Sequence, residues 1–117
     1  MNLRLTERAA RPVLVCESPV ERAADALDVV SASFEHRAPR LLLDETDLPD
    51  AFFELKSGFA GEFVQKLINY RITTAAVFRG SRPYSQRFRE YIDEARSGRQ
   101  FRAFSDATAA LAWLETQ

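Results

Sequence analysis

The stretch Arg40-Leu41-Leu42-Leu43-Asp44 holds three leucines between Pro39 and the acidic, proline-containing segment Glu45-Thr46-Asp47-Leu48-Pro49-Asp50. A short apolar run with turn residues on both sides reads as a buried strand ending in a loop. The segments that flank it are helical in period. Upstream, Ser18-Pro19-Val20-Glu21 has the form of a capping box with proline at the first helical position, and Val20, Ala23, Leu27, Val30 and Phe34 follow at helical spacing, so a helix is expected over 20–34. Downstream, Phe59, Phe63 and Leu67, with Ala60, Val64 and Ile68 beside them, mark the wide apolar face of a largely buried helix over 57–71.

Further out the same alternation continues. Leu3 and Leu5 alternate with polar neighbours, Arg8-Ala9-Ala10-Arg11 intervenes, and Pro12-Val13-Leu14-Val15-Cys16 is a compact apolar run, a pattern expected of a hairpin. Thr73-Thr74-Ala75-Ala76-Val77-Phe78 is β-branched and aromatic enough for a strand, stopped by Gly80 and Pro83. Phe88, Tyr91, Ile92 and Ala95 describe a third helix that Gly98 can end as a left-handed cap. A last short strand is expected at 100–104, and Ser105-Asp106 can cap a final helix with Ala107, Ala110, Leu111 and Leu114 facing inward. The order ββαβαβαβα predicts an α/β sandwich: a mixed sheet of about five short strands with about four helices, joined by right-handed crossovers.

With 117 residues, 46% of them apolar and 28% charged, the chain suits one domain spanning 1–117. No apolar run approaches the roughly 20 residues of a membrane span, no secretory h-region is visible, and Cys16 has no disulfide partner, so a cytoplasmic location without membrane insertion is expected. The net charge of -1 supplies no global pull toward nucleic acid. Residues 79–102 carry seven arginines against three acids. No strand platform of alternating aromatic and Arg residues accompanies them, so a solvated face is expected rather than nucleic-acid binding.

The chemistry-bearing residues are few. Gly58 and Gly61 make neither GxGxxG nor a P-loop, and no GK[ST] occurs. His36, the one histidine, is expected to be a surface residue of the polar loop Glu35-His36-Arg37-Ala38-Pro39-Arg40, with no zinc-like spacing to another ligand. Cys16 in an apolar strand reads as a small core side chain, and Trp113 as packing on the last helix. Asp44, Glu45 and Asp47 follow a strand, where binding residues often sit, and equally suit a solvated acidic loop. Neither an enzyme, nor a metal, nor a cofactor is expected.

The element order, with Ser57-Gly58 opening the second long helix, resembles the STAS domain of anti-anti-sigma factors and sulfate-transporter tails. Leu55 and Lys56 stand before Ser57, where the anti-anti-sigma pattern has an Asp. The string Ala51-Phe52-Phe53-Glu54-Leu55-Lys56-Ser57-Gly58-Phe59-Ala60-Gly61-Glu62, continued by Gln65-Lys66 and Asn69-Tyr70-Arg71, resembles over nearly the whole chain a bacterial family known only as a domain of unknown function (DUF4180-like). The resemblance implies an α/β protein and no activity.

Two readings stand for each notable residue group. Ser57 at a helix N-terminus is suited to carry a phosphate beside Lys56, or caps the helix while Gly58 and Gly61 allow a close approach to neighbouring backbone. Gln65, Lys66, Asn69, Tyr70 and Arg71 form a polar ridge for a partner, or Asn69-Tyr70-Arg71 complete the helix C-terminus. The leading functional expectation is a regulatory protein-interaction module acting through Lys56, Ser57, Gly58, Gly61 and that ridge. Its partner is a protein or a second copy of the chain. The alternative is a small apolar ligand or lipid-binding domain lined by Phe52, Phe53, Phe59 and Phe63.

Overall fold

The computed structural model describes residues 1–6 and 11–117 and orders five strands in one sheet in sequence order. These are β1 (Leu3–Leu5), β2 (Leu14–Cys16), β3 (Arg40–Asp44), β4 (Thr73–Val77) and β5 (Phe101–Phe104). β1 runs antiparallel to β2, with Leu3 opposite Cys16 and Leu5 opposite Leu14, as a hairpin requires. The middle of the connecting segment, 7–10, lies outside the described residues. The remaining neighbours are parallel, with Leu41 opposite Thr74 and Ala76 opposite Ala103.

Because each parallel step moves the chain one place in the same direction, right-handed crossovers put the connecting helices on one face of the sheet. They are α1 (Ala26–His36), α2 (Asp50–Phe53), α3 (Phe59–Asn69) and α4 (Gln86–Ala95). The last helix, α5 (Ala107–Leu114), follows β5 and covers the other face. Period-two alternation divides each strand between the two cores. Leu41, Leu43 and Ala76 pack with α1 to α4, whereas Leu42, Ala75 and Val77 pack with Ala110 and Leu114 of α5. The larger core is organised around Phe52, whose fully buried ring meets Phe63, Phe78 and Phe88 at centroid distances of 6.5, 6.3 and 6.1 Å.

The expected class and strand count are therefore those of the structure, with particular corrections. The first helix starts at Ala26, after a 3-10 turn at Ala23–Asp25, not at 20. Its expected cap is engaged elsewhere: Ser18 Oγ accepts the Asn2 N–H at 2.8 Å, and the Val20 N–H donates to the Asp47 carbonyl at 2.7 Å. Asp25 instead accepts the N–H groups of Glu21 and Arg22. The buried stripe of α1 is consequently Ala26, Val29, Val30 and Ser33, and Leu27 and Phe34 are exposed.

The helix α2 is too short to show a period in the sequence, and with it the α-helices among the described residues number five. α3 begins at Phe59 rather than 57, after a 3-10 turn at Leu55–Ser57. Within it Phe63 is fully buried and Phe59 only partly. Gly98 does not adopt a left-handed cap; a Cβ there would lie 2.0 Å from the Phe101 carbonyl oxygen, so its role is close approach. Ala107 is exposed, and His36 is the exposed last residue of α1 rather than a loop residue.

Candidate functional site

At the carboxyl end of β3 the chain turns through Glu45–Asp47. Glu45 is not a solvated acid: it is 2% exposed, and its carboxylate accepts the N–H groups of Arg79 at 2.8 Å and Ser81 at 3.1 Å and the Tyr84 O–H. Burial alone would raise its pKa, but these bonds, led by that of Tyr84, hold it below the usual glutamate value. Asp44 adds an ion pair to the Arg79 guanidinium. Together the two acids pin the segment after β4 across the end of β3.

That pinning sets where α4 begins. Ser85 caps it, its Oγ accepting the Phe88 N–H at 3.1 Å. Arg82, in the pinned segment, reaches back to α2, with Nη1 3.0 Å from Asp50 and its guanidinium 4.0 Å from the Phe53 ring centroid. The start of α4 is thus held at a fixed place relative to α2 and the turn that follows it.

The turn is itself held by Ser57. Its hydroxyl donates to the Ala51 carbonyl at 2.7 Å and its Oγ accepts the Phe59 N–H at 3.1 Å, so one side chain joins the end of α2 to the start of α3. Gly58, the residue between, has φ +79, a left-handed conformation that favours glycine. Neither Gly58 nor Gly61 approaches other backbone closely; a Cβ at either would meet open space. The close-approach reading of these two glycines is therefore corrected: Gly58 serves the backbone turn, and Gly61 is exposed on the first turn of α3.

Between this turn and the start of α4 lies an open groove of about 650 Å3. Phe53 and Leu55 are its apolar lining, and Glu54, Lys56, Ser57, Ser85, Gln86 and Arg87 complete it. Leu55 and Arg87 also border a second hollow of about 240 Å3, which continues along α4 past Tyr91 with Glu90 and Glu94 on its edge. Lys56, Arg87, Glu90 and Glu94 are all exposed, and among the described residues none of them forms an ion pair.

The structure brings Lys56 and Ser57 to this groove and sets the other expected residues, Gly58 and Gly61 among them, outside its lining. Gln65 Nε2 donates to Asn69 Oδ1 at 2.8 Å, a ridge along α3 as its spacing predicts. Asn69, at the end of α3, lies about 15 Å along the helix from Phe59 at its beginning, at 1.5 Å per residue. There Tyr70 is exposed, and Arg71 takes φ 58 in a Schellman closure: the Arg71 N–H donates to Ile68 and the Ile72 N–H to Leu67. Lys66 is partly buried on the same helix. Tyr84, Ser85 and Arg87 carry no signal of their own in the sequence, and Glu45 stands out there only as one of three acids after a strand.

Other chemistry-bearing residues sit away from the groove. Phe52 and Phe63 fill the core with one another rather than border the groove, and of the expected aromatic lining only Phe53 reaches it. Cys16 is buried and its thiol is pushed up to about 11 by burial, which keeps it protonated at neutral pH. Trp113 packs on Phe104 at 5.6 Å with the Arg102 guanidinium 4.8 Å from its ring. Among the described residues no group of His, Cys, Asp or Glu is placed to hold a metal ion, and no helix is long and apolar enough to cross a membrane.

The class this defines is an α/β domain with one mixed five-stranded sheet and an open groove between a 3-10 turn and the start of α4. Residues 8–114 match the family described as Domain of unknown function (DUF4180), and the chain belongs to that family. No curated protein and no solved structure matches it.

Proposed function

We propose that the protein is a non-enzymatic, cytoplasmic regulatory module of the STAS-like type that takes a segment of a partner protein in the groove beside Ser57. The observation that carries this reading is the groove: apolar at the floor, open along one side, and bordered by charged side chains with no intramolecular ion partner among the described residues. Such a hollow suits a chain segment that lays apolar side chains on Phe53 and Leu55. The hydroxyls beside it, Ser57 and Ser85, each hold a helix end, which suits a rigid docking surface. The likeness of Ser57-Gly58 to the opening of the second helix in STAS domains supports the same reading.

A second reading, a small apolar ligand, is favoured by volume alone, since about 650 Å3 exceeds the roughly 300 Å3 at which ligand pockets begin. Native mass measurement of the protein taken directly from its source cells separates the two. The interaction reading expects a co-purifying polypeptide of defined mass. A small adduct in its place supports the second reading, and the bare chain alone contradicts both.

A further inference from the structure

At the far end of α3 from Ser57, where β4 and β5 begin, lies a separate hollow of about 440 Å3 lined by Ile68, Arg71, Ile72, Thr73 and Gln100. Its backbone is pinned: the Thr73 N–H donates to the Pro39 carbonyl at 3.0 Å, and the Gln100 carbonyl accepts the Thr74 N–H at 2.8 Å. Ile72 is buried and Ile68 partly so, and the two supply an aliphatic wall. Against it stand the polar side chains of Arg71, Thr73 and Gln100. Among the described residues none of the three makes an ion pair or a side-chain hydrogen bond. Among those residues, too, no carboxylate lines this hollow, whereas Glu54 lines the groove beside Ser57, Glu90 and Glu94 the hollow along α4, and Asp93 a hollow beside Tyr84.

Arg71 holds φ 58, a conformation that costs a residue with a Cβ and that glycine takes freely. The chain thus bears a backbone cost for a side chain that no described neighbour uses, and such outliers gather at ligand sites. The helix carbonyls that would repel an anion here are already engaged: those of Lys66, Leu67 and Ile68 accept the N–H groups of Tyr70, Ile72 and Arg71.

We propose that this hollow binds a small organic monocarboxylate with a short aliphatic body. The Arg71 guanidinium takes the carboxylate in its fork of donors, the Thr73 O–H and Gln100 amide N–H reach its remaining lone pairs, and the body covers Ile68 and Ile72. One guanidinium matches one negative charge, and the aliphatic wall favours an acid with a body over a bare inorganic ion. The site is distinct from the groove beside Ser57 and stands whichever occupant that groove takes.

The test is titration of the isotope-labelled protein at neutral pH with straight-chain carboxylates from acetate to hexanoate, followed by the backbone amide signals. The primary alcohols of the same lengths, and sulfate at matched ionic strength, are titrated beside them. The carboxylates should shift the amides of Arg71, Thr73 and Gln100, and should bind about fourfold more tightly for each added methylene until the hollow is full. Arg71→Gly should weaken hexanoate about tenfold while the protein unfolds no more easily than wild type, so that binding and stability part company. Arg71→Gln keeps the backbone cost and removes the charge, and should weaken it as much. Alcohols that bind as well as the acids, sulfate that binds as well as hexanoate, or hexanoate held by both Arg71 variants as by wild type would each overturn the proposal. So would the absence of any shift at these amides.

Discussion

Glu45 and Tyr84, 39 positions apart in the chain, meet at the carboxyl end of β3, where the phenol O–H donates to a carboxylate that is all but sealed from water. With the Arg79 and Ser81 N–H groups on the other oxygen, this contact fixes the segment that leads into α4. Glu45→Gln should lower unfolding free energy by about 1–3 kcal/mol, because an amide nitrogen would face one of these donors. Tyr84→Phe should cost about 1 kcal/mol. Since the two side chains share a network, the double variant should lose less than the sum of the singles. Urea unfolding of the four proteins checks this, and strict additivity would show the contact to be incidental.

The same contact predicts a dependence on pH. Although burial acts to raise the Glu45 pKa, the bonds from Tyr84, Ser81 and Arg79 hold it below its ordinary value of 4.5. A depressed folded-state pKa contributes stability that is complete above the unfolded value and is lost as pH falls through the folded one. The advantage of wild type over Glu45→Gln should therefore shrink as pH drops below about 4.5. At the other extreme, burial and then Glu45 push Tyr84 up to about 12. Its contribution is complete below the ordinary value of 10 and is lost as pH rises toward 12. A difference in unfolding free energy between wild type and Glu45→Gln that stays flat across the acid range would contradict the geometry.

Ser57 both donates and accepts, and this makes its substitutions informative. Ser57→Ala should lose about 0.5–2 kcal/mol. Ser57→Asp keeps an acceptor for the Phe59 N–H near the positive end of the helix, but it cannot donate to the Ala51 carbonyl and sets a carboxylate against it. The Asp variant should accordingly melt below wild type. Thermal unfolding that placed it above wild type would show that the bond to Ala51 contributes little.

Arg71 ends α3 in a left-handed conformation with φ 58, which a residue with a Cβ adopts at some cost. Arg71→Gly should stabilise the protein by about 0.5–1 kcal/mol, the relief at the turn outweighing the greater freedom of glycine in the unfolded chain. Loss of stability in denaturant unfolding would mean that the Arg71 side chain makes a contribution the backbone account omits.

How far the sequence foretells the structure depends on how local the cause is. Arg40–Asp44 is a strand with those bounds because Pro39 and the acidic segment after it punctuate the run, and the cap of α5 at Asp106 acts within one turn. The start of α1 departs from its expected place because Ser18 answers to Asn2 and Val20 to Asp47, partners that local spacing cannot reveal. Phe34 looked like core by period and is exposed because the buried stripe is set by where α1 meets its neighbours. The candidate site is the least legible part. Glu45 becomes buried through donors 34 to 39 residues away, and the groove exists only because residues 55–57 and 85–87 are brought together. Of its lining, Lys56 and Ser57 stand in a motif, while Ser85 and Arg87 carry no local signal.

The most direct test of the groove as the docking site is native mass measurement from source cells on three proteins: wild type, Leu55→Lys and Tyr70→Arg. Lys at 55 keeps an apolar stem and puts a charge into the groove, whereas Tyr70 is exposed at the far end of α3. With melting temperatures matched, the same polypeptide should accompany wild type and Tyr70→Arg and be missing from Leu55→Lys. A polypeptide that stays with Leu55→Lys and leaves Tyr70→Arg would place the docking surface on the α3 ridge and contradict the account.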